Sequence, residues 1–149
     1  MFRRTDKTVV PAEEVERLRE AYRELGPGFP IAAARLFEQD TDAQGGEWYV
    51  KVFGRLVRRL RVDDITSSDL FALPPTWEVM RAEIRGLKAG RGFVTVSGFM
   101  YCRPRGSWEH LRVPLLHVWT IGVGRLQRFE NLLDGIELSP AASVSRSAA

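Results

Sequence analysis

Residues 113–134 read VPLLHVWTIGVGRLQRFENLLD, and their period is two. Leu115, His117 and Trp119 fall on one side of an extended chain, and Leu116 and Val118 on the other. Gly122-Val123-Gly124 then breaks the run before a second extended segment, Arg125 to Asp134. Working outward, the same reading predicts strands at Trp77 to Gly86, Phe93 to Arg103 and Glu109 to Ile121. The links Lys88 to Arg91 and Pro104 to Ser107 are short and carry glycine, which favours antiparallel hairpins because parallel neighbours need crossovers of about a dozen residues. Phe93, Phe99 and Tyr101 alternate with Val94, Val96 and Met100, so the middle of the sheet is apolar on both faces and both faces call for cover.

Before Leu73 the apolar spacing reads as helical. Pro11 in a first turn, followed by Glu13 and Glu14, starts a helix with Val15, Leu18, Tyr22 and Leu25 on one side, and Gly26-Pro27-Gly28 ends it. A second helix is expected from Pro30 to about Phe37. A third is expected from Glu47 to Arg61, with Trp48, Tyr49, Val52, Phe53, Leu56 and Leu60 inward and Lys51, Arg55, Arg58 and Arg59 mostly opposite. Pro74-Pro75 closes an irregular connection. The expected class is therefore α+β: three N-terminal helices packed on a curved, mainly antiparallel sheet, with a hollow between the layers. The second sheet face would be covered most simply by another copy of the chain, as a homodimer.

A length of 149 residues fits a single domain, with 44% apolar and 28% charged side chains. The expected organisation is a flexible arm at 1–10, a domain at 11–138 and a flexible tail at 139–149. Cys102 is the only cysteine, so an internal disulfide and a cysteine-rich zinc site are excluded. No apolar run approaches the length of a membrane span and the first residues lack a signal-peptide core, which predicts a soluble, cytoplasmic protein without a membrane partner. Phosphate-loop, dinucleotide-binding, zinc-protease and serine-elbow motifs are all absent, and no cofactor or metal is expected. The net charge of +3 is too small to argue for nucleic acid.

The segment Val113 to Ile121, the Gly122 to Gly124 turn and Arg128-Phe129-Glu130-Asn131-Leu132-Leu133-Asp134 together resemble the ending of SnoaL-like polyketide cyclases and ketosteroid isomerase relatives, in the nuclear transport factor 2-like superfamily. Glu20 to Leu25 is similar to the first-helix stretch of ketosteroid isomerases that carries an oxyanion-hole tyrosine. The resemblance implies a cone-shaped, cystatin-like fold with a deep apolar pocket that works without a cofactor. It also implies His117 as a polar oxyanion-hole group, Tyr22 as a phenol donor and Asp134 as the acid or base. Trp119, Phe129, Asn131, Leu133, Phe99, Tyr101 and Phe53 would line the substrate pocket.

Read by themselves, the same residues have two meanings. His117 lies among apolar face-mates, either as a core histidine bonded to a backbone group or as a pocket group. Asp134 before Gly135 either shapes a turn or serves as a general base. Tyr22 shares its helix face with Val15, Leu18 and Leu25 and can simply pack. Glu130 and Asn131 point to opposite sides of one strand, so only one can face a pocket, and the resemblance implies that it is Asn131. The function that the resemblance implies is a small protein binding an apolar polyketide-, steroid- or terpenoid-like molecule, with proton-transfer chemistry of the isomerase or cyclase type. The alternative is a non-catalytic binding or interaction module.

Overall fold

The computed structural model describes residues 9–24, 47–61, 73–122 and 125–140. In chain order these form α1 (Ala12–Arg23), β1 (Glu47–Val52), β2 (Arg55–Arg61), β3 (Trp77–Ala89), β4 (Phe93–Pro104), β5 (Leu111–Gly122), β6 (Arg125–Asn131) and β7 (Ile136–Pro140). The seven strands make one antiparallel sheet in the order β2-β1-β7-β6-β5-β4-β3.

The expected three-helix α+β cone is corrected by this arrangement, which is mainly β with one helix among the described residues. The decisive difference is Glu47 to Arg61, expected as the third helix. Here it is a hairpin, with Val52 opposite Arg55 and a two-residue Phe53-Gly54 turn. Both turn residues have positive φ, 50° and 81°, as a type I′ turn requires. Trp48 and Val50 are buried while Tyr49 and Lys51 are half-buried, which is a period of two. The β-branched Val50 and Val52 suit a pleated surface better than a helix, where their side-chain freedom is restricted. The expected helix at Pro30 to Phe37 lies outside the described residues.

The later strands fall close to their expected positions, with one exception. The segment expected as a strand through Asp134 ends at Asn131, turns at Leu132 to Gly135, and returns as β7. That return joins the β1–β2 hairpin to the rest of the sheet, because β7 pairs with β6 on one side and β1 on the other.

One sheet face carries the core. Val94, Val96, Met100 and Cys102 from β4, Leu115, Trp119 and Ile121 from β5, Phe129 from β6, Leu138 from β7 and Trp48 from β1 are all buried there. At roughly 2–3 kcal/mol for each large side chain removed from water, this face supplies the main drive to fold. Across it lies α1, packed chiefly against β3, with Leu18 and Tyr22 one turn apart and fully buried. The chain entering α1 is tied down: Val9 bridges to Arg91, Val10 donates its N–H to the Gly90 carbonyl at 3.2 Å, and Val10 is buried. The arm expected to end at Val10 is therefore fixed at its last two residues, and β7 runs past the expected domain limit at 138.

The second face gains cover from its own arginines. Arg81 lies over the Tyr101 ring at 4.0 Å, and Arg112 and Arg85 lie over Phe99 at 4.1 and 5.3 Å. Among the described residues no helix is long and apolar enough to cross a membrane.

Candidate functional site

The residues singled out from the sequence are drawn together by register. Val96 opposes His117, and His117 opposes Asn131; one step along, Val94 opposes Trp119 and Trp119 opposes Phe129. These side chains share the covered face, where α1 delivers Tyr22 across 95 residues of sequence to within 2.6 Å of the imidazole, Oη to Nδ1. Trp119 Nε1 donates to the same Tyr22 oxygen at 3.0 Å. The rings close around each other: His117 meets Phe129 edge-on at 4.9 Å between centroids, and Trp119 meets Phe129 at 4.6 Å.

Burial sets the protonation of the pair. Tyr22 is 1% exposed and His117 0%. Desolvation pushes the Tyr22 phenol up, with only a partial offset from Trp119, so it stays protonated. The same desolvation pushes the His117 imidazole down to about 3, so it is neutral under any ordinary condition. Two tautomers then satisfy the Tyr22–His117 bond. Either the phenol donates to Nδ1 and the ring proton sits on Nε2, or Nδ1–H donates to the phenol and the hydroxyl proton points elsewhere. Each leaves one donor beyond the pair, on imidazole Nε2 or on tyrosine Oη.

A second link runs toward the surface. Asn131, 1% exposed, donates from Nδ2 to Asp134 Oδ2 at 3.0 Å. Asp134 is half-buried, in the turn between β6 and β7. That turn is anchored from both sides: the Leu132 N–H donates to the Leu116 carbonyl at 2.9 Å, and the Phe53 N–H donates to the Gly135 carbonyl at 2.6 Å. Gly135 has φ +67°, and the Phe53 ring lies where a Cβ would project. The hairpin missed in the sequence thus holds the turn that carries Asp134.

Tyr22, His117, Trp119, Phe129, Asn131 and Asp134 therefore form one cluster. Four residues expected to wall the same pocket do not join it. Phe53 and Leu133 are exposed, at 77% and 51%. Phe99 and Tyr101 point to the second face, since Phe99 opposes Glu83 and Pro114, and Tyr101 opposes Arg81 and Arg112. Their parity along β4 excludes the side on which Val96 meets His117.

The second face has its own hollow, of about 860 Å³, over β4 to β7. Thr95, Val118, Thr120, Arg128, Glu130 and Glu137 line its floor. Glu130 and Glu137 are directly opposite across β6 and β7, and Arg128 approaches them at 3.5 and 3.7 Å. Sequence reading placed Glu130 away from Asn131 but had no β7, and so could not bring Glu137 beside it. Among the described residues no group of three or more His, Cys, Asp or Glu can hold a metal ion.

The fold and site define a mainly β protein whose covered sheet face holds a buried tyrosine-histidine-tryptophan chain. Comparison with family models, curated proteins and solved structures gives no significant match.

Tyr22→Phe is expected to keep the ring packing but remove the oxygen shared by Trp119 and His117. With the desolvation of two buried polar groups no longer offset by that oxygen, the loss is roughly 2 kcal/mol. Urea unfolding at neutral pH measures it, and a loss below a few tenths of a kcal/mol would show that the chain contributes nothing to stability.

Proposed function

We propose that this protein binds an apolar small molecule bearing an acceptor oxygen and promotes cofactor-free proton transfer on it. The observation that carries the reading is two sets of polar contacts, Asn131 with Asp134 and Trp119 with Tyr22 and His117, set side by side on the covered face by the register of β5 and β6. The first set runs from half-buried Asp134 to buried Asn131, and the second begins at His117, the cross-strand neighbour of Asn131. A buried polar chain costs desolvation that a purely apolar core would not incur, and a fixed donor in a low-dielectric wall is suited to an oxygen that gains negative charge. In this scheme the outward donor of the Tyr22–His117 pair holds the ligand oxygen. Asp134, the member nearest solvent, accepts a proton from carbon and returns it, with Asn131 fixing the carboxylate. Neutral His117 acts as a hydrogen-bonding group and never as an imidazolium acid.

The test is deuterium exchange at the α-carbon of an added cyclic apolar ketone, followed by mass spectrometry. Asp134→Asn is expected to lower protein-dependent exchange by about 100-fold or more, with a melting temperature within a few degrees of the parent. Exchange that survives the substitution removes Asp134 from the scheme. Absence of protein-dependent exchange across ketones of several sizes removes the catalytic reading.

A second reading is favoured by the position of the hollow. The protein would be a non-catalytic binding module using the second sheet face, where Thr95, Thr120 and the Arg128–Glu130–Glu137 group meet the ligand. A naphthol titration separates the two: Trp119 emission responds to a ligand on the covered face, whereas Thr120→Arg blocks a ligand in the hollow.

A further inference from the structure

Strand β2 lies at one end of the seven-strand order and, among the described residues, pairs only with β1. Six of its seven residues are exposed, including Leu56 at 47% and Val57 at 52%. Its sequence, RLVRRLR, has four arginines and no acid. Over the whole hairpin 47–61 the sequence holds five basic residues and one acid, Glu47. That local excess of four exceeds the +3 of the entire chain.

Exposed edge strands are hazards, and basic residues or bulges on them commonly prevent pairing between copies. Both devices occur here. The register shifts between Val50 and Lys51, so that Val50 opposes Arg58 while Lys51 opposes Leu56, leaving Val57 as the extra residue. Four arginines on the edge repel the same edge of another copy, but they do not repel a strand of opposite charge. We infer that β2 is a docking edge for an acidic segment of a partner protein, which adds to the sheet as an extended strand.

The distribution of the arginines selects this partner over nucleic acid. Arg58 opposes Val50 and so leans to the covered side, whereas Arg59 opposes Tyr49 and Arg61 opposes Glu47, on the other side. Charges on both sides of one strand flank an added strand, whose own side chains alternate in the same way. A phosphate backbone is followed best by cations along a single side. A main-chain edge with no strand partner among the described residues also offers donors and acceptors that a peptide can match in register. Exposed Leu56 and Val57 supply apolar contact beside the charges.

The probe is a fluorescent peptide, Glu-Glu-Val-Glu-Glu-Val-Glu, titrated by anisotropy against the full chain at low salt. Saturable binding is expected, weakened at least tenfold by the double substitution Arg59→Glu and Arg61→Glu, with circular dichroism confirming that the variant is folded. The lysine analogue of the peptide should not bind. A version N-methylated on alternate amides keeps every charge but loses one edge of hydrogen bonds, and should bind at least tenfold more weakly. Equal binding of the methylated peptide overturns strand addition. Failure of the parent peptide to bind overturns the docking edge, as does tighter binding of polyuridylate than of the peptide in the same buffer.

Discussion

Gly98→Ala is expected to reduce stability by at least about 3 kcal/mol, at or beyond the upper end of ordinary overpacking costs. Gly98 sits in β4 between Ile84 of β3 and Leu115 of β5. Directly beyond it β3 bulges, the register shifting between Ile84 and Gly86. A Cβ at position 98 would lie 2.0 Å from the Glu83 carbonyl oxygen, 3.0 Å from Ile84 Cα and 3.1 Å from the Arg85 nitrogen. All three are backbone atoms in a paired strand, so no side chain can swing aside to make room. Relief requires β3 to separate from β4, and with it the Tyr101–Glu83 contact at 2.8 Å and the cover of Arg85 over Phe99. For a domain of this size the melting temperature should fall by roughly 6–12 °C. Gly106→Ala is the control: φ is +79° and nothing lies within 4 Å of a Cβ, so only the backbone cost of about 1 kcal/mol applies. Equal melting temperatures for the two variants would mean that β3 does not bulge against Gly98.

That bulge belongs to the part of the molecule that alternation alone made legible. Strands β3 to β6 were readable because Val94, Val96 and Met100 alternate with Phe93, Phe99 and Tyr101, and Leu115, His117 and Trp119 alternate with Leu116 and Val118, between glycine-bearing links. The hairpin of β1 and β2 was not, for a specific reason. Trp48, Val52, Leu56 and Leu60 recur every four residues, a sound helical stripe, while Trp48, Val50 and Val52 recur every two. Both periods fit the same letters. The turn that would have separated them is Phe53-Gly54, in which a phenylalanine occupies the left-handed position usually held by asparagine, aspartate or glycine. Packing resolved the ambiguity: Val50, on the polar side of the supposed helix, is 3% exposed.

The site divides along the same line. His117 and Asn131 could be placed on one face from strand parity, and Trp119 and Phe129 with them. The meeting of Tyr22 with His117 depends on how α1 lies across β3, and nothing in local spacing encodes a contact 95 residues apart. Asp134 was legible as a residue before a turn glycine, and it does occupy a turn. Its link to Asn131 follows from that turn, which in turn is held by the unanticipated hairpin.

The buried imidazole makes the stability of the whole protein depend on acidity in a way that can be isolated. In the unfolded chain His117 titrates near its ordinary value of 6.5, whereas burial lowers it to about 3 in the folded protein. Between these limits the unfolded chain binds a proton that the folded chain refuses, so stability falls as pH falls, by about 1.4 kcal/mol per pH unit. Above pH 6.5 neither state is protonated and this contribution is fully present. Below 3 both are protonated and the loss is complete. His117→Gln retains an acceptor for Tyr22 but cannot titrate, and carboxylates common to both proteins cancel when the two are compared. Unfolding by urea at pH 7.5 and at pH 4.5 should therefore show the parent losing about 3 kcal/mol more than the variant between the two conditions. A difference near zero would mean that the folded protein admits the proton at His117, through water or through an anionic neighbour. The fixed neutral donor on which the proposed chemistry rests would then not exist.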